Sequence, residues 1–247
     1  MCAAQRWRNK MQKKLKIGVV VADGQEFKPF KEMAEKIGCA VYDCLGKDGV
    51  IFDLDGKADV AAVLCGVGKV NAAAITAALL KDGCDIILNY GLSGGISRVR
   101  RGETVIANRF MEHDFDLTPL GYKPFEKPDQ KYIYDADRRL VAAFERAIPE
   151  IKSGTAVCGD RFICSEDDRI FFKENFDAMS CDMETAAIAS VCDMCDVPFA
   201  SLRRISDDAG DEANDAYRDM NATGNAALSQ LFFKALCAVV SDFGGSL

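Results

Sequence analysis

Cys181-Asp182-Met183-Glu184-Thr185-Ala186-Ala187-Ile188-Ala189-Ser190-Val191, followed after a short gap by Phe199-Ala200-Ser201-Leu202-Arg203-Arg204-Ile205-Ser206-Asp207, places a helix and a strand in succession, each with a carboxylate at its edge. The alanine-rich run from Thr185 has the composition of a buried helix, and residues 199–202 that of a buried strand. Glu184 opens the helix and Asp207 stands just past the strand. Ligands of open α/β sheets bind outside the carboxyl ends of the strands. Two carboxylates delivered there can hold a polyhydroxylated substrate and move protons. Taken singly, each also has a plainer reading: Glu184 as a first-turn acid facing the helix dipole, Asp207 as a turn residue.

The same alternation runs through the rest of the chain. Residues 16–22 form a continuous apolar run, as in a buried parallel strand, and 26–37 a helix. Residues 39–55 read as one or two strands turning at Asp55-Gly56. The strand 60–65 passes through Gly66-Val67-Gly68-Lys69 into the helix 70–80. The strand 86–89 ends at Gly91-Leu92-Ser93-Gly94-Gly95. A strand over 105–110, a helix over 137–147 and a strand over 153–158 follow, the last leading into Gly159-Asp160-Arg161-Phe162-Ile163. Residues 214–240 read as one long terminal helix, and 113–134 as a long polar loop. The pattern predicts an α/β fold, a three-layer sandwich around a mixed, mostly parallel central sheet. Residues 15–247 are expected to form a single domain, and 1–14 a disordered extension.

The composition excludes several classes of function. A net charge of −7 over 247 residues argues against binding a phosphate backbone. No apolar run reaches the roughly 20 residues that span a bilayer, and the basic start lacks the apolar core of a signal peptide. A cytoplasmic protein is expected, which makes the 11 cysteines thiols. Cys65, Cys84, Cys158, Cys192 and Cys237 fall in apolar elements and read as core residues. Cys192 and Cys195 have CxxC spacing without a second pair, a weak basis for a zinc or redox role. The single histidine, His113, excludes a histidine-rich metal centre. The two-glycine turn at 66–69 lacks the third glycine of a dinucleotide site and the spacing of a Walker loop. No metal or cofactor is expected.

Backbone amides at the two glycine-rich segments can approach a polar ligand closely. Phe162 can stack on a flat ring, and Glu26, just beyond the first strand, can hold a water or act as a base. The plainer readings are tight strand–helix packing, a core aromatic and a first-turn helix acid.

Taken in order, KIGVVVADGQEF, CGVGKVNAAA, NYGLSGGIS, HDFDLTPLGY, CGDRFIC, DMETAAIASVC and VPFASLRRISDDAGD resemble the nucleoside phosphorylase/nucleosidase superfamily. Within it, they resemble most the 5′-methylthioadenosine/S-adenosylhomocysteine nucleosidases, over residues 16–240. The resemblance implies cleavage of an N-glycosidic bond through an oxocarbenium-like sugar cation. It implies Asp207 as the acid facing purine N7 and Glu26 as the group that positions and deprotonates water. Glu184 would bind the ribose hydroxyls, with Met183 under the sugar. Phe162 would stack on the base and the Ile163 backbone would read its edge. Gly91, Gly94 and Ser206 would complete the substrate contacts, and Tyr217 would close the 5′ end. Leu120 and Tyr122 fall in the loop that, in the family, reaches a neighbouring subunit, which implies a homodimer.

Phosphorylases of this superfamily carry an arginine after the first strand and another ahead of the second glycine segment. Here those positions read Ala22-Asp23-Gly24-Gln25-Glu26 and Leu88-Asn89-Tyr90-Gly91. A phosphate dianion would meet carboxylates, so water is the expected acceptor. Three departures bear on the substrate. Asp182 stands where the family has Glu, Leu92 replaces a serine, and Asp23-Gly24 replace an apolar and an acidic residue. A phosphorylase, or a nucleoside-binding homologue with impaired turnover, is the alternative.

Overall fold

The computed structural model describes residues 14–244; the expected extension over residues 1–14 lies, but for Lys14, outside the described residues. The chain opens with β1 (Leu15–Val21), α1 (Gly24–Ile37), β2 (Cys39–Cys44), β3 (Lys47–Leu54), β4 (Ala58–Leu64) and α2 (Lys69–Lys81). Next come β5 (Ile86–Gly95), β6 (Thr104–Glu112), β7 (Ile133–Asp135), α3 (Arg138–Ala147) and β8 (Lys152–Cys158). It ends with α4 (Glu166–Phe176), β9 (Ala178–Asp182), α5 (Thr185–Met194), β10 (Phe199–Asp207), α6 (Ala213–Thr223) and α7 (Asn225–Phe243).

The α/β expectation holds, and the sheet is mixed. Parallel pairing joins β1 to β4 and β5, β5 to β10, β6 to β8 and β8 to β9. Antiparallel pairing adds β2, β3 and β7, and joins β6 to β10 and β5 to β9. The sandwich expectation is corrected in one respect. Strands β5, β10, β6, β8 and β9 pair in a closed circuit, a five-stranded ring from which β1, β4, β3 and β2 extend as an open wing.

Glycine closes the ring. Residues 91–95, read as a loop, continue β5 as strand, and Gly94 and Gly95 pair with Cys181 and Ser180 of β9. A Cβ on Gly94 would stand 2.8 Å from Cys181 Sγ, and one on Gly95 would stand 2.9 Å from Ile205 Cγ2. Only residues without side chains let the strands approach this closely.

Most apolar side chains of the wing and of α1, α2, α3, α5 and α7 share one core. Its aromatic centre joins Phe30 of α1 to Tyr90 of β5 and Phe232 of α7, with the last two rings stacked at 4.4 Å. The Tyr90 hydroxyl donates to the Glu26 carbonyl at 3.0 Å and so ties the first turn of α1 to the middle of β5. The terminal helix is divided at Gly224, where the Asn225 side-chain Nδ2 donates to the Asn221 backbone carbonyl at 2.7 Å. By length and composition α7 could cross a bilayer. Instead it packs on α1 and α3, with Leu228, Phe232, Leu236 and Val240 in the core.

Candidate active site

The strands β1, β4, β8, β9 and β10 all deliver their carboxyl ends to one side of the sheet, where a cavity opens between them. Glu26, Glu184 and Asp207 all reach it, together with Met183, Phe162, Ile163, Gly94, Ser206 and Tyr217.

Glu26 arrives on the first turn of α1. Asp23 caps that helix, its carboxylate accepting from the Gln25 amide at 2.7 Å. Glu26 is buried, and its Oε1 accepts the Leu92 amide at 2.8 Å. Burial pushes its pKa up to about 7 against the opposing pull of Arg203, with Glu184 and Asp23 adding to the rise. Gly91 does not line the cavity. It makes room behind it, since a Cβ there would meet Arg203 Nη1 at 2.9 Å and Glu26 Oε2 at 3.0 Å.

Glu184 ends the turn between β9 and α5. It is buried, its Oε1 accepts the Gly68 amide at 3.0 Å, and its Oε2 lies 3.9 Å from Arg203 Nη2. Its pKa is likewise pushed up to about 7, first by burial, with Arg203 opposing and Asp182 reinforcing. Asp182 caps α5: its Oδ1 accepts the Glu184 and Thr185 amides at 2.9 and 2.8 Å, and its Oδ2 the Thr185 hydroxyl at 2.7 Å. Glu184 itself makes no side-chain cap. The first-turn-acid reading therefore belongs to its neighbour, and Glu184 is left facing the cavity.

Asp207 is the last residue of β10, which runs further than expected. The register of β10 against β5 shifts between Ile205 and Asp207. Such a bulge re-aims side chains, and here both Ser206 and Asp207 line the cavity. Asp207 is buried; its Oδ1 accepts the Ala209 amide at 2.8 Å and its Oδ2 the Ser206 hydroxyl at 2.6 Å. Burial raises its pKa despite those two hydrogen bonds. The Ser206 hydroxyl also lies 3.1 Å from the Ser93 carbonyl. It can donate to ionised Asp207, or turn to Ser93 and accept from protonated Asp207.

Phe162, 37% exposed, stands at the mouth with its ring 5.4 Å from that of Tyr217, edge to face. Burial, helped by the negative charge of Glu26, pushes the Tyr217 phenol up to about 12, so it remains a neutral hydrogen-bonding group. Leu120 is not brought to this cavity. It lies on a short 3₁₀ turn (Thr118–Leu120) and is 72% exposed, because its loop stands off the chain's own surface.

Arg203 was not among the expected site residues; it enters from β10, while the two positions at which phosphorylases carry arginine have none. It is 3% exposed and lines the cavity. Its guanidinium donates to Ser93 Oγ at 2.8 Å, to Asn89 Oδ1 at 2.9 Å and to the Leu92 carbonyl. An arginine following the mostly apolar run over residues 199–202 inside a buried strand was the available signal, since buried charges are paired. Three of its five N–H donors meet these protein acceptors, and its charge opposes the rise in pKa of both glutamates, so it serves chiefly as their counter-charge.

Residues 16–240 match the phosphorylase superfamily. The 5′-methylthioadenosine/S-adenosylhomocysteine nucleosidase of Shewanella pealeana is 35% identical over 207 residues, 81% of this chain and 89% of that protein. The S-adenosylhomocysteine nucleosidase of Streptococcus pyogenes, solved with 5-methylthiotubericidin, is 27% identical with a TM-score of 0.84, covering 92% of this chain and 98% of that one. The Helicobacter pylori 5′-methylthioadenosine/S-adenosylhomocysteine nucleosidase, solved with butyl-thio-DADMe-Immucillin-A, shares the fold at a TM-score of 0.86 and 22% identity, covering 91% and 98%. The chain belongs to the phosphorylase superfamily and, within it, to the family of the 5′-methylthioadenosine/S-adenosylhomocysteine nucleosidases.

Proposed function

We propose that this protein hydrolyses the N-glycosidic bond of 5′-methylthioadenosine, S-adenosylhomocysteine or a related purine nucleoside and releases the base. The observation that carries the reading is the convergence of Glu26, Glu184 and Asp207, all buried, on one cavity with Phe162 at its mouth. Glu26 orients a water on C1′ and takes its proton, a task suited to a pKa near 7. The C1′–N9 bond breaks as the water oxygen bonds C1′. The electron pair goes to the purine, and protonated Asp207 supplies a proton to N7. Glu184 accepts the ribose hydroxyls, Met183 packs under the sugar, Phe162 stacks on the base and the Ile163 backbone reads its edge. Tyr217 closes the 5′ end.

Water is the acceptor in this reading. Arg203 is a poor phosphate site, because three of its five N–H donors already meet protein oxygens and its charge faces Glu26 and Glu184. The protein acts as a homodimer in which exposed Leu120 and Tyr122 reach the neighbouring subunit's cavity. The test is base release from methylthioadenosine, S-adenosylhomocysteine, adenosine and inosine, with and without phosphate. Adenine release that ignores phosphate is expected. A requirement for phosphate with formation of a sugar 1-phosphate would replace the hydrolase with a phosphorylase.

A further inference from the structure

Lys69 occupies the first position of α2, where the helix dipole disfavours a cation. Its surroundings supply the compensation. Nζ bonds Glu112 Oε2 at 2.8 Å and Asp114 Oδ1 at 2.5 Å, and the lysine side chain is 18% exposed. Glu112 is held from its other side by Lys127. The Lys69 amide donates to Asp160 Oδ1 at 2.8 Å, and the Asp160 amide donates to Asp114 Oδ2 at 2.8 Å. Lysine side chain, Asp114, Asp160 and lysine backbone thus form a closed circuit.

The circuit sits on a turn with little rigidity of its own. Gly66 and Gly68 both take positive φ, 94° and 101°, a region that glycine enters and leaves freely. The direction of the Gly68 amide is therefore set by what ties the turn down. That amide points at Glu184 Oε1, 3.0 Å away. A Cβ on Gly68 would also stand 3.0 Å from Asp160 Oδ1, so the turn and the loop carrying Phe162 are packed together.

We propose that Lys69 is a positioning residue for the ribose-binding carboxylate, acting through Asp114, Asp160 and the Gly68 amide on Glu184. The proposal rests on the nucleosidase reading and adds a residue that touches no substrate. It follows that losing Lys69 should weaken the substrate hydroxyl contacts made by Glu184 more than any contact to the base.

The test compares methylthioadenosine with its 2′-deoxy analogue in the full-length protein. For Lys69→Met, kcat/KM on the ribonucleoside should fall about 10-fold or more, the usual scale of a hydrogen bond to a charged group. The fall on the deoxynucleoside should be several-fold smaller, and Lys69→Arg should restore most of the loss. In a Glu184→Gln background Lys69→Met should add little, because the two changes remove the same interaction. Asp114→Asn, which keeps the shape and the backbone hydrogen bond, should show the same pattern and serves if Lys69→Met fails to fold. Equal losses on both substrates, or losses that multiply with Glu184→Gln, would overturn the proposal while leaving the nucleosidase reading intact. No base release by the wild-type protein from either substrate would sink that reading and this inference with it.

Discussion

The Leu92 amide donates to Glu26 Oε1 at 2.8 Å, so the backbone of β5 fixes the carboxylate that faces the cavity although the side chain at 92 offers no hydroxyl. A polar side chain there is not needed to hold Glu26. Its absence leaves Glu26 as the group best placed to orient a water. Glu26→Gln keeps the shape and can still accept the Leu92 amide, yet it cannot take a proton. Base release should fall by about 10²–10⁴-fold, the range of general acid–base contributions. A stopped or continuous assay of adenine release measures it, and turnover within a few-fold of wild type would remove Glu26 from the chemistry.

Asp207→Asn separates binding from proton donation. The Asn carbonyl can accept the Ala209 amide, and its NH₂ can donate to Ser206, whose hydroxyl turns to the Ser93 carbonyl. The fold and the cavity are therefore retained, while N7 loses its acid. Turnover should fall about 10²–10⁴-fold, with the Kd of a non-hydrolysable nucleoside analogue nearly unchanged. Calorimetry of that analogue against both proteins checks the second half. A loss of binding equal to the loss of turnover would make Asp207 a structural residue.

How far the site could be read in the sequence depended on whether a residue's role was local. Glu184 and Asp207 were legible because each stands at the edge of a regular element, and carboxyl ends of strands are where α/β folds place ligands. Residues 91–95 were misread, since three glycines in five residues look like a turn. Their reason for being glycine is contact with β9 and β10, which are remote in sequence. Arg203 was missed for the same cause. Its partners lie elsewhere, Asn89 and Ser93 on β5 and Glu184 in the turn after β9, and nothing near it in the chain announces them. The break at Gly224 was hidden because both halves are helical and no proline separates them.

Gly94→Ala tests the ring closure and the acid together. The added methyl would stand 2.8 Å from Cys181 Sγ and 3.1 Å from Asp207 Oδ1, well inside ordinary contact distances. The strands must part or Asp207 must shift. A lowered Tm and a marked drop in turnover are expected, since small displacements of catalytic groups are costly. Cys181→Ala removes the closer of the two clashes, so the double variant should regain part of the Tm. If Gly94→Ala alone leaves both Tm and turnover at wild-type values, the approach of β5 to β9 is not as tight as these distances require.

Glu26 and Glu184 should make the unliganded protein less stable as pH rises. Each has an ordinary pKa of 4.5 and is pushed up to about 7 in the folded state, with burial the leading cause in both. A folded state that holds its protons more tightly than the unfolded chain gains stability at low pH and loses it as pH climbs. The contribution is fully present below about 4.5, declines between the two values, and is gone above about 7. A shift of this size corresponds to about 3 kcal/mol for one group taken singly; the two share Arg203, so together they contribute less than twice that. The unliganded Tm should therefore fall between about pH 5 and pH 8 from this source. Glu26→Gln and Glu184→Gln, neutral at every pH, should each raise the Tm at pH 8 and change it little near pH 5. Thermal melts of the three proteins across that range, without ligand, decide the matter. Glutamine variants less stable than wild type at pH 8 would mean that the carboxylates are ionised without penalty, held fully by Arg203 and the Leu92 and Gly68 amides.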